Sequence, residues 1–196
     1  MSIPLSILEG MLERARLQHP TVVEQMHRRG ALLQQALRKD PGAPHIHSYK
    51  HWCGPGQWWC RVAATDSGIE AHALYYWFHG TKDHRHEALD AILLRGPRRP
   101  LHFDTHFFGR WGLRSERMGV KLTNMIGFFR QYPQPPVRHI PRFYPAQPEL
   151  GAAIQQGLIF ARHHGNKLIC CDTFKDHSML SPEERMLWDR LHALKA

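Results

Sequence analysis

The chain has 196 residues, with 26 Lys and Arg against 17 Asp and Glu, a formal net charge of +9 and 16 His. Hydrophobic residues make up 42% of it, enough for a packed core and too many for an intrinsically disordered chain. No apolar run approaches the roughly 18 residues of a membrane span, and 4 Cys are too few for a disulfide scaffold. Glu9 interrupts the first short apolar stretch and no basic segment precedes it. No secretory signal is therefore expected, and the expected setting is a reducing cytoplasm without membrane association.

Two helices are predicted first, over 4–17 and 21–39. Val22, Met26, Leu33 and Leu37 recur at helical spacing in the second, Gly30 weakens its middle, and Lys39-Asp40-Pro41-Gly42-Ala43-Pro44 stops it. Residues 1–40 thus read as a helical appendage to a single domain over 41–196. From Gln57 the pattern becomes extended. Trp58–Ala64, Ala73–Phe78, Ala91–Leu94 and Leu101–Phe103 are short aromatic and aliphatic runs bounded by turn signals, and they predict a mostly antiparallel sheet. Leu122, Met125, Ile126 and Phe129 then form a helical stripe that ends before Pro133, and His106–Arg117 is a weaker helix because of Gly109 and Gly112. Residues 133–148 carry six prolines and predict a covering loop. Leu158–Arg162 and Lys167–Phe174 bracket a hairpin turn at His163-His164-Gly165-Asn166. In the last helix Ser181 is the N-cap, Pro182 stands at N1 and Glu184 at N3, and Leu187, Leu191 and Leu194 form its apolar face. The fold class is α+β: a central mostly antiparallel sheet with an N-terminal helical pair and packed C-terminal helices.

Excess positive charge favours a polyanionic partner, and it gathers in the middle of the chain. Arg98, Arg99, Lys121, Arg130, Arg138 and Arg142 lie there, with Lys167 further on, and these are the candidate nucleic-acid contacts. On a helix from about residue 105, His106, Arg110, Arg114 and Arg117 fall within about 80° of one another around the axis. Guanidinium offers bidentate, permanently charged donors to phosphate, and imidazole exchanges protons near neutral pH. This face therefore suits an RNA phosphodiester, with His102 or His163 as a second acid–base partner. A solvated basic helix face is the plain alternative. His45, His47, His51, Cys53 and Cys60 are ligand types that zinc takes, but no Cys-x-x-Cys pair accompanies them. A histidine-rich loop is the expected form of that segment, with no metal or other cofactor. Cys170 and Cys171, adjacent on a strand, are expected to face opposite sides, with one in the core and no redox role.

The run His106-Phe-Phe-Gly-Arg110, then Glu116-Arg117-Met-Gly-Val120, Leu122–Phe129, Gln131-Tyr-Pro133 and the hairpin end Cys171-Asp-Thr-Phe174 resembles the small RelE-like and BrnT-like toxin ribonucleases. The resemblance spans residues 102–175. It implies a small α+β unit that cuts RNA without metal, using basic residues and His. The expected function is accordingly nucleic-acid interaction, RNA above all, in the form of a metal-independent ribonuclease of toxin or mobile-element type. Two other readings stay open: a non-catalytic adaptor binding protein or nucleic acid through its basic middle and Pro-rich loop, and a zinc-binding module.

Overall fold

The computed structural model describes residues 3–42, 45–53, 56–79, 88–114, 120–141 and 148–194. In chain order the elements are α1 (Leu5–Lys39), β1 (Ile46–Cys53), β2 (Gly56–Thr65), β3 (Gly68–His79), β4 (Ala88–Arg95), β5 (Arg98–Phe103), α2 (Thr105–Arg114), α3 (Lys121–Gln131), β6 (Arg138–His139), β7 (Leu150–Ile154), β8 (Gly157–His164), β9 (Leu168–Asp176) and α4 (Pro182–Ala193). The class is α+β. The strands run in the order β1-β2-β3-β4-β5-β9-β8-β7-β6, and β5 pairs with β9 in parallel. No described helix is long and apolar enough to cross a membrane. The chain divides into two compact units, Met1–Phe78 with Ala91–Leu94, and His79–Asp90 with Arg95–Ala196.

In the first unit one helix, with Pro20 inside it, replaces the two predicted. Proline removes an amide donor and crowds the preceding turn, a loss that tertiary packing must offset. Here α1 packs on β2 to both sides of Pro20. Leu8, Met11, Leu12 and Ala15 are buried before it, and Val22 and Met26 after it. Trp58 of β2 donates its indole N–H to Gln18 at 3.0 Å and rests 5.8 Å from the His19 ring, so the helix is fastened at the proline itself. Gly30 has a packing reason: a Cβ there would come within 2.6 Å of the Ile69 side chain.

The histidine-rich segment is a strand, not a loop. β1 pairs antiparallel with β2 from Ile46↔Ala63 to Cys53↔Gly56. It stands at the edge of the sheet, with Ser48 and Lys50 alternating with His47, Tyr49 and His51. Ser48 and Lys50 separate the exposed Ile46 and Trp52 on one face, and His47, Tyr49 and His51 share the other, so the apolar alternation that reveals a strand is missing.

Burial lowers the pKa of His19 and of His72, whose neighbour Arg61 adds to the effect while Glu70 opposes it. A lowered imidazole pKa means that below about pH 6.5 the unfolded chain takes up protons that the native state refuses. Stability should therefore be level above that pH and fall as the pH drops toward 5. Urea midpoints at pH 7.5 and 5.5 test this, with His19→Gln/His72→Gln expected to flatten the difference; an unchanged slope in that variant would refute the assignment.

The second unit is built round the parallel pair β5–β9, whose crossover is supplied by α2, α3 and β6–β8. Phe103 of β5 meets Phe107 and Phe129 at 5.0 and 5.1 Å between ring centroids, and Phe108 and Phe128 complete the cluster. The last helix carries the full capping box at Ser181 and Glu184. Leu187 and Leu191 bury against Ile140, Leu158 and Phe160, whereas Leu194 is exposed because the helix has already ended at Ala193. In the Pro-rich segment the two-residue strand β6 pairs with β7.

Candidate functional site

Asp104 begins α2 by accepting the Phe107 amide at 2.7 Å, and Phe107, Phe108 and Trp111 turn one side of the helix into the core. The opposite side carries His106 and Arg110, both exposed, and Arg114, half-buried. The two arginines are engaged with β9. Arg110 donates to the Thr173 hydroxyl at 3.0 Å and to the Asp172 carbonyl at 3.3 Å. Arg114 donates to the Phe174 carbonyl and lies 3.6 Å from the Asp176 carboxylate. Hydrogen bonds from Ser178, with Arg114 nearby, hold that carboxyl below the usual range. The predicted basic face is thus also the fastening of α2 to β9. Arg117 lies outside the described residues, as does Arg142.

The hairpin tip is at the other end of β9. Lys167 and the partner of His163, Ile169, precede Thr173 by six and four residues, roughly 20 and 13 Å of strand. There a second basic group assembles from three strands. Arg99 of β5 donates to His163 Nδ1 of β8 at 2.8 Å, and the ring of His139, from β6, lies 5.5 Å from that of His163. Partial desolvation, with Arg99 and His139 beside it, lowers the pKa of His163. Arg95 holds the Arg99 carbonyl with two N–H donors, at 2.7 and 3.1 Å. Arg98 and Lys167 are exposed at the same strand ends, and Arg138 precedes His139 in β6. Lys121 and Arg130 stand at the two ends of α3, nine residues or about 14 Å apart, and do not form one patch.

A third group lies at the far end of β5. Asp90, in the run Leu89-Asp90-Ala91-Ile92, is 1% exposed. One of its oxygens accepts from His79 Nε2, and the other lies 3.3 Å from His102 Nε2. His102 is itself buried, whereas the His79 side chain is 33% exposed. The Leu89 amide donates to the Thr105 hydroxyl at 3.1 Å, which ties the first turn of α2 to this point. His102 is level with Cys170 of β9, and Cys170 with Arg162 of β8. Asp172 is the extra residue of a β-bulge, since Cys171 pairs with Ala161 and Thr173 with Phe160. Bulges re-aim side chains, and Asp172 meets Arg162 at 2.7 Å. Burial raises the Asp172 pKa, an effect that Arg162 opposes and Asp104 reinforces. Of the predicted residues His102 belongs to this group. Asp90 and His79 escaped sequence reasoning, although a single carboxylate inside an apolar strand is a readable signal.

The candidate zinc ligands have other occupations. His45 pairs with the Asp40 carbonyl at 2.7 Å, and His47 with Arg29 at 3.4 Å. Arg29 also lies over the Tyr49 ring, 4.0 Å from its centroid. Tyr49 is opposite the buried Cys60, and its hydroxyl is pushed up to about 12 by burial and by that thiol. His51 is opposite Trp58, and of Cys53 only the backbone is described. Among the described residues no three His, Cys, Asp or Glu side chains are grouped to hold a metal ion. Cys170 and Cys171 are both buried rather than one alone, because the sheet is covered on both faces at this point. Burial pushes the Cys170 thiol up to about 12 and that of Cys171 well above its ordinary value. No family model matches the chain, and no curated protein or solved structure matches it at a significant level.

Proposed function

We propose that this chain binds nucleic acid, RNA in particular, and that Arg99, His163 and His139 hold its phosphates. The observation that carries the reading is the contact of Arg99 with His163, with His139 alongside. A guanidinium donating to Nδ1 leaves the neutral imidazole with its proton on Nε2. His163 is then a fixed donor beside a permanent cation, and both have N–H groups left for an anion. Arg95, Arg98 and Lys167 stand on the same strand ends, where a polyanion would relieve the repulsion among them. The resemblance over 102–175 favours RNA as that polyanion, and a cytoplasmic toxin-type ribonuclease is the enzymatic form of the same reading.

Anisotropy of a labelled single-stranded RNA at several salt concentrations tests the proposal. Log Kobs should fall linearly with log salt, by about 0.7 per phosphate neutralised, and Arg99→Ala should reduce the slope by nearly one phosphate. Affinity indifferent to salt, or an unchanged slope in Arg99→Ala, would remove this surface as the binding site.

A further inference from the structure

We propose that His79, oriented by the buried Asp90, is the acid–base catalyst of an RNA-cleaving centre. The proposal takes its substrate from the RNA-binding reading, but its residues are separate from Arg99, His163 and His139.

Four polar or charged side chains are buried among the described residues: Asp90, His102, Asn124 and Glu184. Two have evident structural duties. Asn124 donates to the Phe108 carbonyl where α3 meets α2, and Glu184 closes the α4 capping box and pairs with Lys175 at 2.7 Å. Among the described residues Asp90 caps no helix and joins no turn. It spends its two oxygens on two imidazoles, one of which leads outward. A carboxyl withdrawn from water costs several kcal/mol unless its partners are well placed, and such groups concentrate where chemistry is done.

The geometry settles which nitrogen is available. By accepting from Nε2, Asp90 holds the His79 tautomer that leaves the lone pair on Nδ1. Neither Asp90 nor His102 is open enough to meet a polymer, whereas a third of the His79 side chain is. The Leu89–Thr105 hydrogen bond brings the first turn of α2, where His106 is exposed, to the same strand.

An imidazole base is sufficient where the substrate carries its own nucleophile. RNA does, in the ribose 2′-hydroxyl. His79 Nδ1 takes the 2′-hydroxyl proton, the 2′ oxygen bonds to the adjacent phosphorus, and the bond from phosphorus to the 5′ oxygen breaks. The leaving 5′ oxygen takes a proton from water, and His79 returns its own to solvent. The products are a 2′,3′-cyclic phosphate and a 5′-hydroxyl, with no change in oxidation state and no co-reactant.

The full chain is incubated with a labelled single-stranded RNA and with its all-2′-deoxy counterpart, and the ends of the products are identified. Cyclic phosphate ends are expected from the RNA and no cleavage of the deoxy strand. His79→Ala should lower the rate by about 100-fold or more while RNA affinity stays within about twofold, and added imidazole should restore part of the rate. Should that variant fail to fold by circular dichroism, His79→Asn carries the same expectation. Asp90→Asn should reduce kcat with KM unchanged, as loss of orientation does and loss of binding does not. Wild-type protein that binds RNA but leaves it intact overturns this proposal and spares the binding reading. Cleavage undiminished in His79→Ala, or in both variants, overturns it equally. Cleavage that needs His79 without salt-sensitive binding upholds it and sinks the binding reading.

Discussion

Asp90→Ala is expected to lower the free energy of unfolding by about 3 kcal/mol, the top of the range of about 1–3 kcal/mol for leaving buried hydrogen-bonding groups without their partner, with the loss of packing added. The loss has two sources. His79 and His102 both lose the group that their Nε2 atoms face. A gap is also left at a position only 1% exposed. Asp90→Asn keeps one acceptor oxygen and should cost about half as much. Urea denaturation of the three proteins measures both. A double-mutant cycle with His79→Ala isolates the contact, and a coupling of about 1–3 kcal/mol is expected for partners in one network. Coupling below about 0.5 kcal/mol would mean that the two side chains do not act on each other. The proposal for His79 would then lose its orienting partner.

The residues differ in how far sequence alone reveals their roles, and the differences have physical causes. Ser181, Pro182 and Glu184 announce the start of α4 because capping is local: all partners lie within four residues. The strands from β2 to β5 and the β8–β9 hairpin are legible because they are apolar runs between turn signals. β1 is not, because an edge strand of alternating His and Ser or Lys offers no apolar period. The continuity of α1 through Pro20 is hidden for the opposite reason. The proline's local cost is real, but it is offset by Trp58, which lies 38 residues away in sequence.

The same division runs through the candidate site. Helical spacing places His106, Arg110 and Arg114 on one side of α2 correctly, since 3.6 residues per turn is a local rule. That Arg110 and Arg114 reach the β9 backbone depends on a crossover more than 60 residues long, which no spacing rule encodes. Arg99, His163 and His139 are likewise brought together by strand order, in which β6 and β5 are far apart in sequence from β8. Asp90 lies between: its oddity inside Leu89-Asp90-Ala91-Ile92 is visible in the sequence, and its two imidazoles are not.

Gly112→Ala should be destabilising by about 2–3 kcal/mol, against the rule that alanine improves a helix by about 1 kcal/mol over glycine. A Cβ at this position would fall 2.0 Å from Nδ2 of Asn124 and 2.5 Å from its Cγ. Both residues are buried, so the amide has nowhere to swing. Either α2 and α3 move apart, with an overpacking cost of about 1–3 kcal/mol, or Asn124 abandons the Phe108 carbonyl at a similar cost. The consequence reaches the site, because α2 also carries Thr105 against Leu89 and the arginines against β9. A shift of α2 should therefore reduce any activity that depends on His79 more than it reduces RNA binding at Arg99, whose hydrogen bonds run to Arg95 and His163. Asn124→Ala removes the obstacle, so Gly112→Ala/Asn124→Ala should be clearly less destabilised than the sum of the single variants. Thermal unfolding of the four proteins decides it. A Gly112→Ala variant as stable as the parent would show that α2 and α3 are not held at this distance by the glycine.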